Sequence, residues 1–279
     1  MKKLLLLLSL LISSVITLYA QNDTSQPSNK TFTANGVSFT MVYVEGGTFT
    51  MGITEDEEEY DDENSQPAHS VTLSSYMIGQ TEVTQELWQA VMGSNPSKYQ
   101  GNIRRPVECV TWKECQDFIK KLNELTGQKF RLPTEAEWEF AARGGTKSKG
   151  YKFSGGNDIS DVAWTWQNSG IIFYVKPYEN YDFYDFENNH CKPHAVATKA
   201  PNELGIYDMS GNVWEWCQDW YGDYNDEAQT NPTGPSSGEN RVTRGGAWCN
   251  NYDFCTPTFR QDFDMPESDD NVQGLRLAL

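Results

Sequence analysis

The stretch RLPTEAEWEFAARGG, residues 131–145, decides the fold because it marks both ends of a helix within a few letters. Thr134 and Glu137 form a capping box, in which each side chain accepts a hydrogen bond from the backbone N–H of the other residue. Gly144 follows the last apolar residues, where glycine commonly ends a helix. The stretch therefore predicts a short helix that begins at Thr134 and is closed by Gly144.

Two similar patterns lie upstream and predict two more helices. Thr84 begins the segment TQELWQAVMG, in which apolar residues recur at helical spacing before Gly93. Thr111 and Glu114 form a second capping box, and Gly127 stops the helix that they open. All three predicted helices lie before residue 145.

The rest of the chain has the character of strands and loops. The segment VSFTMVYVEGGTFTMG, residues 37–52, alternates apolar and polar residues around two glycines and predicts a β-hairpin. Beyond residue 145 the pattern favours short strands joined by loops, with no internal repeat and no Pro/Ser-rich linker. The 9 Trp, 14 Tyr and 13 Phe often stand beside Gly and Asn, which favours a loop-rich α+β domain pinned by large rings.

The N-terminus resembles an export signal. Residues 1–20 begin with Lys2 and Lys3, continue as an apolar run and end at Ala20, as a secretory signal peptide does. An uncleaved anchor is the alternative, but the run is short for a bilayer span. Residues 21–32 are polar and predict a flexible leader. We expect an exported protein, periplasmic or extracellular, with no membrane span after signal removal.

Charge and cysteine content narrow the function. The net charge of −17 argues against nucleic acid as a partner, because that ligand needs positive charge on the protein. It is compatible with bound cations, and the acidic run at residues 55–64 is either a solvated loop or a loose cation site. The 6 Cys of an exported chain permit disulfides, whose pairing the sequence does not choose.

Six motifs in order resemble the sulfatase-modifying-factor family, whose founding member is formylglycine-generating enzyme. They are MVYVEGGTFTMG, QTEVTQELW, PVECVTW, RLPTEAEWEFAARGG, NELGIYDMSGNVWEW, and RVTRGGAW through GLRLAL. The resemblance spans residues 33–279 and implies one irregular, loop-rich α+β domain related to C-type lectins. Residues 171–193, dense in aromatic and acidic side chains, form an insert within this predicted domain.

The resemblance also implies structural calcium. Asp208 and Glu215 are hard carboxylate ligands, and the turn between them suits backbone coordination. The family positions that hold calcium match Asp208, Gly211, Val213 and Glu215, the middle two through backbone oxygens. The alternative is that Glu215 pairs with an arginine such as Arg244.

Active family members oxidise a substrate cysteine to formylglycine with two cysteines, spaced C-x4-C, that bind Cu(I). Cys255 matches the second of these, but Asn250 matches the first and Cys249 stands one residue early. A shift of one residue in an extended segment turns the thiol to the opposite face, although a bulge corrects this direction. The resemblance further suggests a Cys217–Cys255 disulfide. A copper-dependent oxidase acting on a sulfatase peptide is therefore the alternative function.

The leading hypothesis is a non-catalytic binding protein. Around Cys255 the chain mixes aromatic and small polar residues, as adaptable recognition surfaces do. The predicted contact residues are Asn250, Asn251, Tyr252, Asp253, Phe254, Phe259 and Phe263. The layout resembles the C-terminal variable region of lectin-fold proteins diversified by retroelements, which implies a protein or glycan ligand. Ordinary loop residues, or a structural role in a cell-surface assembly, are the other interpretations.

Overall fold

A computed structural model of the protein describes residues 28–54, 63–170, 190–262 and 264–279. The predicted signal peptide, most of the acidic run, residues 171–189 of the insert and Phe263 lie outside the described residues. The predicted leader is three residues too long, because strand β1, Lys30–Ala34, includes residues 30–32. In the described part of the chain, no helix is long and apolar enough to cross a membrane.

The three predicted helices are confirmed, with their caps. They are α1 (Gln85–Met92), α2 (Trp112–Thr126) and α3 (Glu135–Ala142), and a fourth single-turn helix, α4 (Ile159–Val162), was not predicted. The Thr134 Oγ1 atom accepts the Glu137 N–H at 3.2 Å, and Glu137 Oε2 accepts the Thr134 N–H at 2.9 Å. The capping-box patterns therefore form the structure that they predict.

Strands follow each other in short segments along the described chain. After β1 come β2 (Val37–Val44), β3 (Gly47–Met51), β4 (His69–Leu73), β5 (Tyr76–Gly79), β6 (Trp214–Trp220), β7 (Gln229–Thr230), β8 (Arg241–Arg244), β9 (Arg260–Gln261) and β10 (Gln273–Leu275). They form three small sheets with the orders β1-β2-β5, β3-β4-β7 and β10-β6-β8-β9. The loop-rich α+β single-domain prediction is confirmed.

The predicted hairpin at residues 37–52 is wrong. Both strands exist, but β2 pairs with β1 and β5, whereas β3 pairs with β4 in a different sheet. The chain passes from one sheet to the other at Gly46. A Cβ atom there would lie 2.4 Å from the Leu73 carbonyl oxygen. Gly46 therefore serves a close backbone approach rather than a hairpin turn.

Large rings and buried ion pairs hold the C-terminal strands in place. Four tryptophans are fully buried, namely Trp138, Trp214, Trp216 and Trp248. Arg244 pairs with Glu139, Arg260 with Glu135 at 2.6 Å, and Arg276 with Glu215 at 2.6 Å, all inside the protein. Because breaking one partner of a buried pair leaves an uncompensated charge, these pairs fix β8, β9 and β10 against α3 and β6.

Candidate functional site

The candidate site is the loop of residues 245–259, which joins β8 to β9. It opens with Gly245 and Gly246, whose φ angles of 100° and 75° suit glycine. A Cβ atom on Gly246 would lie 2.5 Å from Cys255 Sγ and 2.8 Å from the Phe254 carbonyl oxygen. The loop therefore folds back on its own first residues.

Trp248 anchors the start of this loop in the interior. Its N–H donates to the Asn212 carbonyl at 2.8 Å, and its ring Nε1–H donates to the Asn271 carbonyl at 3.2 Å. The Ser169 hydroxyl donates to the Trp248 carbonyl at 2.7 Å. Three separate segments therefore hold one residue of the loop.

Two of the predicted polar contact residues shape the loop itself. Asn250 Oδ1 accepts the Ala247 N–H at 2.9 Å. Asn251 caps the turn that follows, accepting the Tyr252 N–H at 2.9 Å, and its Nδ2 donates to Asp253 at 2.8 Å. Both amides therefore stabilise the loop from within, as Asn does in turns.

The aromatic residues of the loop divide between the interior and the surface. Tyr252 packs against the small cluster of Phe153, Val162 and Ala163. Phe254 is 38% exposed and meets Phe259 edge to face, with ring centroids 4.8 Å apart. Phe259 is half-buried and packs against the core. Phe254 is therefore the predicted contact residue that reaches furthest into solvent among those the structure describes.

Sequence reasoning missed two residues that lie beside the loop. Gln167 Nε2 donates to Asn251 Oδ1 at 3.0 Å, and the Trp166 N–H donates to the Asn250 carbonyl at 3.1 Å. The Trp166 ring is half-buried next to the same loop. The only sequence signal was the aromatic pair in DVAWTW, which lies far from the loop along the chain.

The cysteines correct one expectation. All six cysteines are unbridged, so the suggested Cys217–Cys255 disulfide is wrong for this structure. Cys217 points from β6 into the cluster around Val42 and Ile78. Cys255 Sγ instead lies against Gly246 and faces the Asn251 carbonyl at 3.6 Å. The two thiols occupy different parts of the core.

The two candidate catalytic cysteines differ in their surroundings. Cys249 is half-buried and packs against the cluster of Trp214 and Trp248, whereas Cys255 is fully buried outside that cluster. Burial raises the pKa of the Cys249 thiol to about 12 and raises that of Cys255 further. Because copper and disulfide chemistry use thiolates, both sulfurs are held in their unreactive form near neutral pH.

Comparison with known proteins places the chain. The model of the sulfatase-modifying factor enzyme 1-like domain matches residues 26–279. The chain belongs to the sulfatase-modifying-factor family. It is 36% identical to chaperone protein LppX of Paenibacillus barcinonensis, over 87% of this chain and 90% of that protein. It is 30% identical to formylglycine-generating enzyme of Streptomyces coelicolor, over 68% of this chain and 57% of that enzyme.

A solved structure supports the same assignment. Treponema denticola variable protein 1 superimposes with a TM-score of 0.75 and 34% identity, covering 91% of this chain and 99% of that one. The family therefore includes a protein that is named as an enzyme and one that is named as variable. Membership alone does not decide between catalysis and binding.

The calcium that the family implies can be tested against a cluster of buried carboxylates. Glu82, Asp208 and Glu215 are all buried and interact electrostatically around a single cation, Arg276. Burial, together with the Asp208 and Glu215 charges, raises the pKa of Glu82 well above its usual value. Burial also raises the pKa of Asp208 to about 6. The three carboxyl groups therefore resist ionising together beside one arginine.

The carboxylate oxygens of this cluster differ in whether they already accept a hydrogen bond. Asp208 Oδ2 accepts the Ala197 N–H at 2.7 Å, but Oδ1 is buried without a partner among the described residues. Glu215 receives the Trp138 Nε1–H at 2.7 Å and the Arg276 guanidinium on both oxygens. The arginine that pairs with Glu215 is therefore Arg276 rather than Arg244.

The site also has limits as a metal centre. Within the described ranges, no group of three or more His, Cys, Asp or Glu side chains is arranged to hold a metal ion. The predicted calcium set needs only two side chains, since Gly211 and Val213 would bind through backbone oxygens. Asp208 fits a cation, because a buried oxygen without a partner beside two further carboxyl groups is what a hard ion binds.

Proposed function

We propose that this protein is an exported binding protein that recognises a protein or glycan ligand through its C-terminal loop. The observation that carries the proposal is that Phe254, 38% exposed, stands on a loop fixed from beneath. We call Trp166, Tyr252, Phe254 and Phe259 with their polar neighbours the C-terminal surface. Aromatic side chains with few rotatable bonds give contact area at a low entropy cost.

The hydrogen bonds under the loop support a recognition role. Trp248 is held by backbone and hydroxyl groups of three segments, and the Ser210 hydroxyl donates to the Cys255 carbonyl at 2.7 Å. A loop that is already ordered loses little conformational entropy when a ligand binds. Rings on such a support can act as a preformed contact surface.

Two of the relatives support the same direction. One similar structure is named a variable protein and one similar sequence a chaperone, whereas the Streptomyces coelicolor relative is named an enzyme. We extend the proposal to retroelement diversification of the C-terminal segment, with the buried frame constant and the surface residues changeable. A near-copy of this segment beside a reverse transcriptase gene would support that extension.

Copper chemistry fits the cysteines poorly. The position that matches the first copper-binding cysteine is Asn250, whose side chain holds the Ala247 N–H inside the loop. Cys249 packs into a hydrophobic cluster to which Cys255 does not belong. A Cu(I) site needs two converging sulfurs, and these two cysteines lie in different surroundings.

We propose that calcium stabilises the fold at the carboxylate cluster. Asp208 would hold the ion with backbone oxygens of Gly211 and Val213, and the ion would favour ionisation of Asp208 and Glu82. Glu215 contributes through its charge, because its oxygens already receive hydrogen bonds from Trp138 and Arg276. When bound, the ion would supply structural stability to a loop-rich domain.

The binding proposal is tested with a glycan array and a phage-displayed peptide library as probes. After ligands are selected on the wild-type protein, we expect Phe254→Ala to weaken binding by about 30-fold, the loss typical of an interface hot spot. The melting temperature should stay near the wild-type value, because Phe254 is exposed. Ile103→Ala is the matched control, since Ile103 is also an exposed apolar residue, at 52%.

Two results would contradict the proposal. One is that Phe254→Ala and Ile103→Ala bind the selected ligands equally well. The other is that the wild-type protein binds Cu(I) tightly, loses that binding in Cys255→Ser, and converts a sulfatase-type cysteine peptide to an aldehyde. The second result would establish the oxidase in its place.

A further inference from the structure

Cys191 and Cys249 lie 58 residues apart in sequence and pack in one hydrophobic cluster. Cys191 is 4% exposed and belongs to the cluster with Trp214 and Trp248. Cys249 packs against the same cluster from the beginning of the C-terminal loop. Neither cysteine has been given a role by the binding proposal.

Trp166 fixes the two segments relative to each other. Its backbone N–H donates to the carbonyl of Asn250, the neighbour of Cys249, at 3.1 Å. Its carbonyl oxygen faces the Cys191 thiol at 3.9 Å. One residue therefore holds Cys191 on one side and the start of the loop on the other.

Cys255 is the competing partner for Cys249, and its surroundings disfavour it. Its Sγ atom lies against Gly246 so closely that an added Cβ atom would be 2.5 Å away. It also faces the Asn251 carbonyl at 3.6 Å. Cys255 is enclosed by its own loop, whereas Cys191 and Cys249 both pack with Trp214 and Trp248.

Cys191 also has a route to solvent. It lines an open pocket of about 250 Å³ together with Tyr99, His190 and Lys192. A small disulfide reagent can approach this sulfur without unfolding the domain. By contrast, Cys115 is fully buried within α2.

We propose that Cys191 and Cys249 form a disulfide when the protein meets an oxidising thiol–disulfide system. The Cys191 thiolate attacks a reagent disulfide and releases one reagent thiol, which leaves a mixed disulfide on Cys191. The Cys249 thiolate then attacks the Cys191 sulfur and releases the second reagent thiol. The two protein thiols lose two electrons and two protons, and the reagent disulfide takes them up as two thiols.

The pKa of Cys249 predicts how this reaction responds to pH. Burial raises that pKa to about 12, so the attacking thiolate is scarce near neutral pH. The second step should therefore be slow, and its rate should rise about tenfold per pH unit between pH 7 and pH 9, since the thiolate fraction rises tenfold.

The bridge would connect the end of the insert to the fifth residue of the C-terminal loop. It would hold Trp248 and Asn250 from a second direction, beside the hydrogen bonds already described. The redox state would then set how firmly the C-terminal surface is supported. The inference itself does not depend on what that surface binds.

The test oxidises the purified full chain with oxidised glutathione and counts thiols after denaturation. We expect the wild-type protein to lose two of its six thiols and to give one linked peptide pair carrying residues 191 and 249 in mass spectrometry. Cys191→Ser should lose none, whereas Cys249→Ser should lose one, held as a mixed disulfide between Cys191 and glutathione. Cys115→Ser, the matched control from the core of α2, should still lose two.

Several outcomes would overturn the inference. A linked peptide pair carrying residues 249 and 255 would show that Cys255, and not Cys191, is the partner of Cys249. Retention of all six thiols at pH 9 would show that the pair does not react. Loss of two thiols by Cys191→Ser would show that other cysteines react. The peptide map of the wild-type protein decides the matter even if a variant fails to fold.

Discussion

Asp219 lies on β6 and lines a cleft of about 420 Å³ together with His69, Tyr224 and Arg260. Its side chain is 3% exposed, and its Oδ2 accepts the Glu135 N–H at 3.0 Å. Burial, and then the Glu135 charge, raises its pKa to about 8. The group is therefore neutral in the folded protein at pH 6 and ionised in the unfolded chain, where a pKa near 3.9 is usual.

The sign of the effect on stability follows from proton binding. Between about pH 4 and pH 8 the folded state holds a proton on Asp219 that the unfolded state has lost, so the free energy of unfolding falls as pH rises. Each pKa unit corresponds to about 1.4 kcal/mol. From pH 6 to pH 8 the loss from Asp219 should be about 2 kcal/mol, because the folded-state group begins to ionise only near pH 8.

The perturbation is Asp219→Asn, which keeps an oxygen acceptor for the Glu135 N–H and removes the ionisable group. Urea unfolding of the wild-type protein and the variant at pH 6 and pH 8 gives four free energies of unfolding. We expect the free energy of unfolding of the variant, relative to that of the wild type, to rise by about 2 kcal/mol from pH 6 to pH 8. Asp117→Asn, on the exposed face of α2, is the control and should show no such gain.

One result would refute this reasoning. If the difference in unfolding free energy between Asp219→Asn and the wild type is the same at pH 6 and pH 8, then Asp219 does not change its protonation on unfolding in this range. A variant that is less stable at both values but has the smaller deficit at pH 8 would still support the argument, whereas a larger deficit at pH 8 would refute it.

The remaining predictions concern the helix cap, the loop glycine and the cation. Thr134→Ala should lower the free energy of unfolding by about 1 kcal/mol in urea titration, because the capping hydrogen bond to α3 is lost; an unchanged midpoint would contradict this. Gly246→Ala should cost about 3 kcal/mol, since the new Cβ would lie 2.5 Å from Cys255 Sγ at a φ of 75°. Gly93→Ala, where nothing lies within 4 Å, should cost less. Calcium at about 100 times its Kd should stabilise the wild type by about 2.7 kcal/mol, and chelation should reverse the rise in melting temperature. Asp208→Asn should remove this response, and a response equal to that of the wild type would count against the site.

Local signals were enough for the helices. The caps at Thr111 and Thr134 depend on residues three positions apart, so the sequence contains both partners side by side. The break between β2 and β3 was not readable in this way. The break arises because Gly46 lies against the backbone at Leu73, a contact between distant residues that no local sequence pattern predicts.

The candidate site shows the same division. The loop of residues 245–259 was recognised from its composition, and the exposed position of Phe254 agrees with its predicted contact role. Trp166, Gln167 and Glu82 were missed, because each reaches its site from a distant segment. The assignment of Arg244 as a partner of Glu215 failed for a similar reason: Arg276, on the segment after β10, lies beside it instead.

The parallel pairing of β10 with β6 has a consequence for biosynthesis. Gln273–Leu275 lie beside Trp214–Trp216, and the Leu277 and Leu279 carbonyls receive the Gly79 and Met77 N–H groups at 2.7 and 2.9 Å. These partners are made by the ribosome long before residues 273–279 emerge. Strand β5 therefore keeps one edge without its hydrogen-bond partners until residues 277–279 have been made.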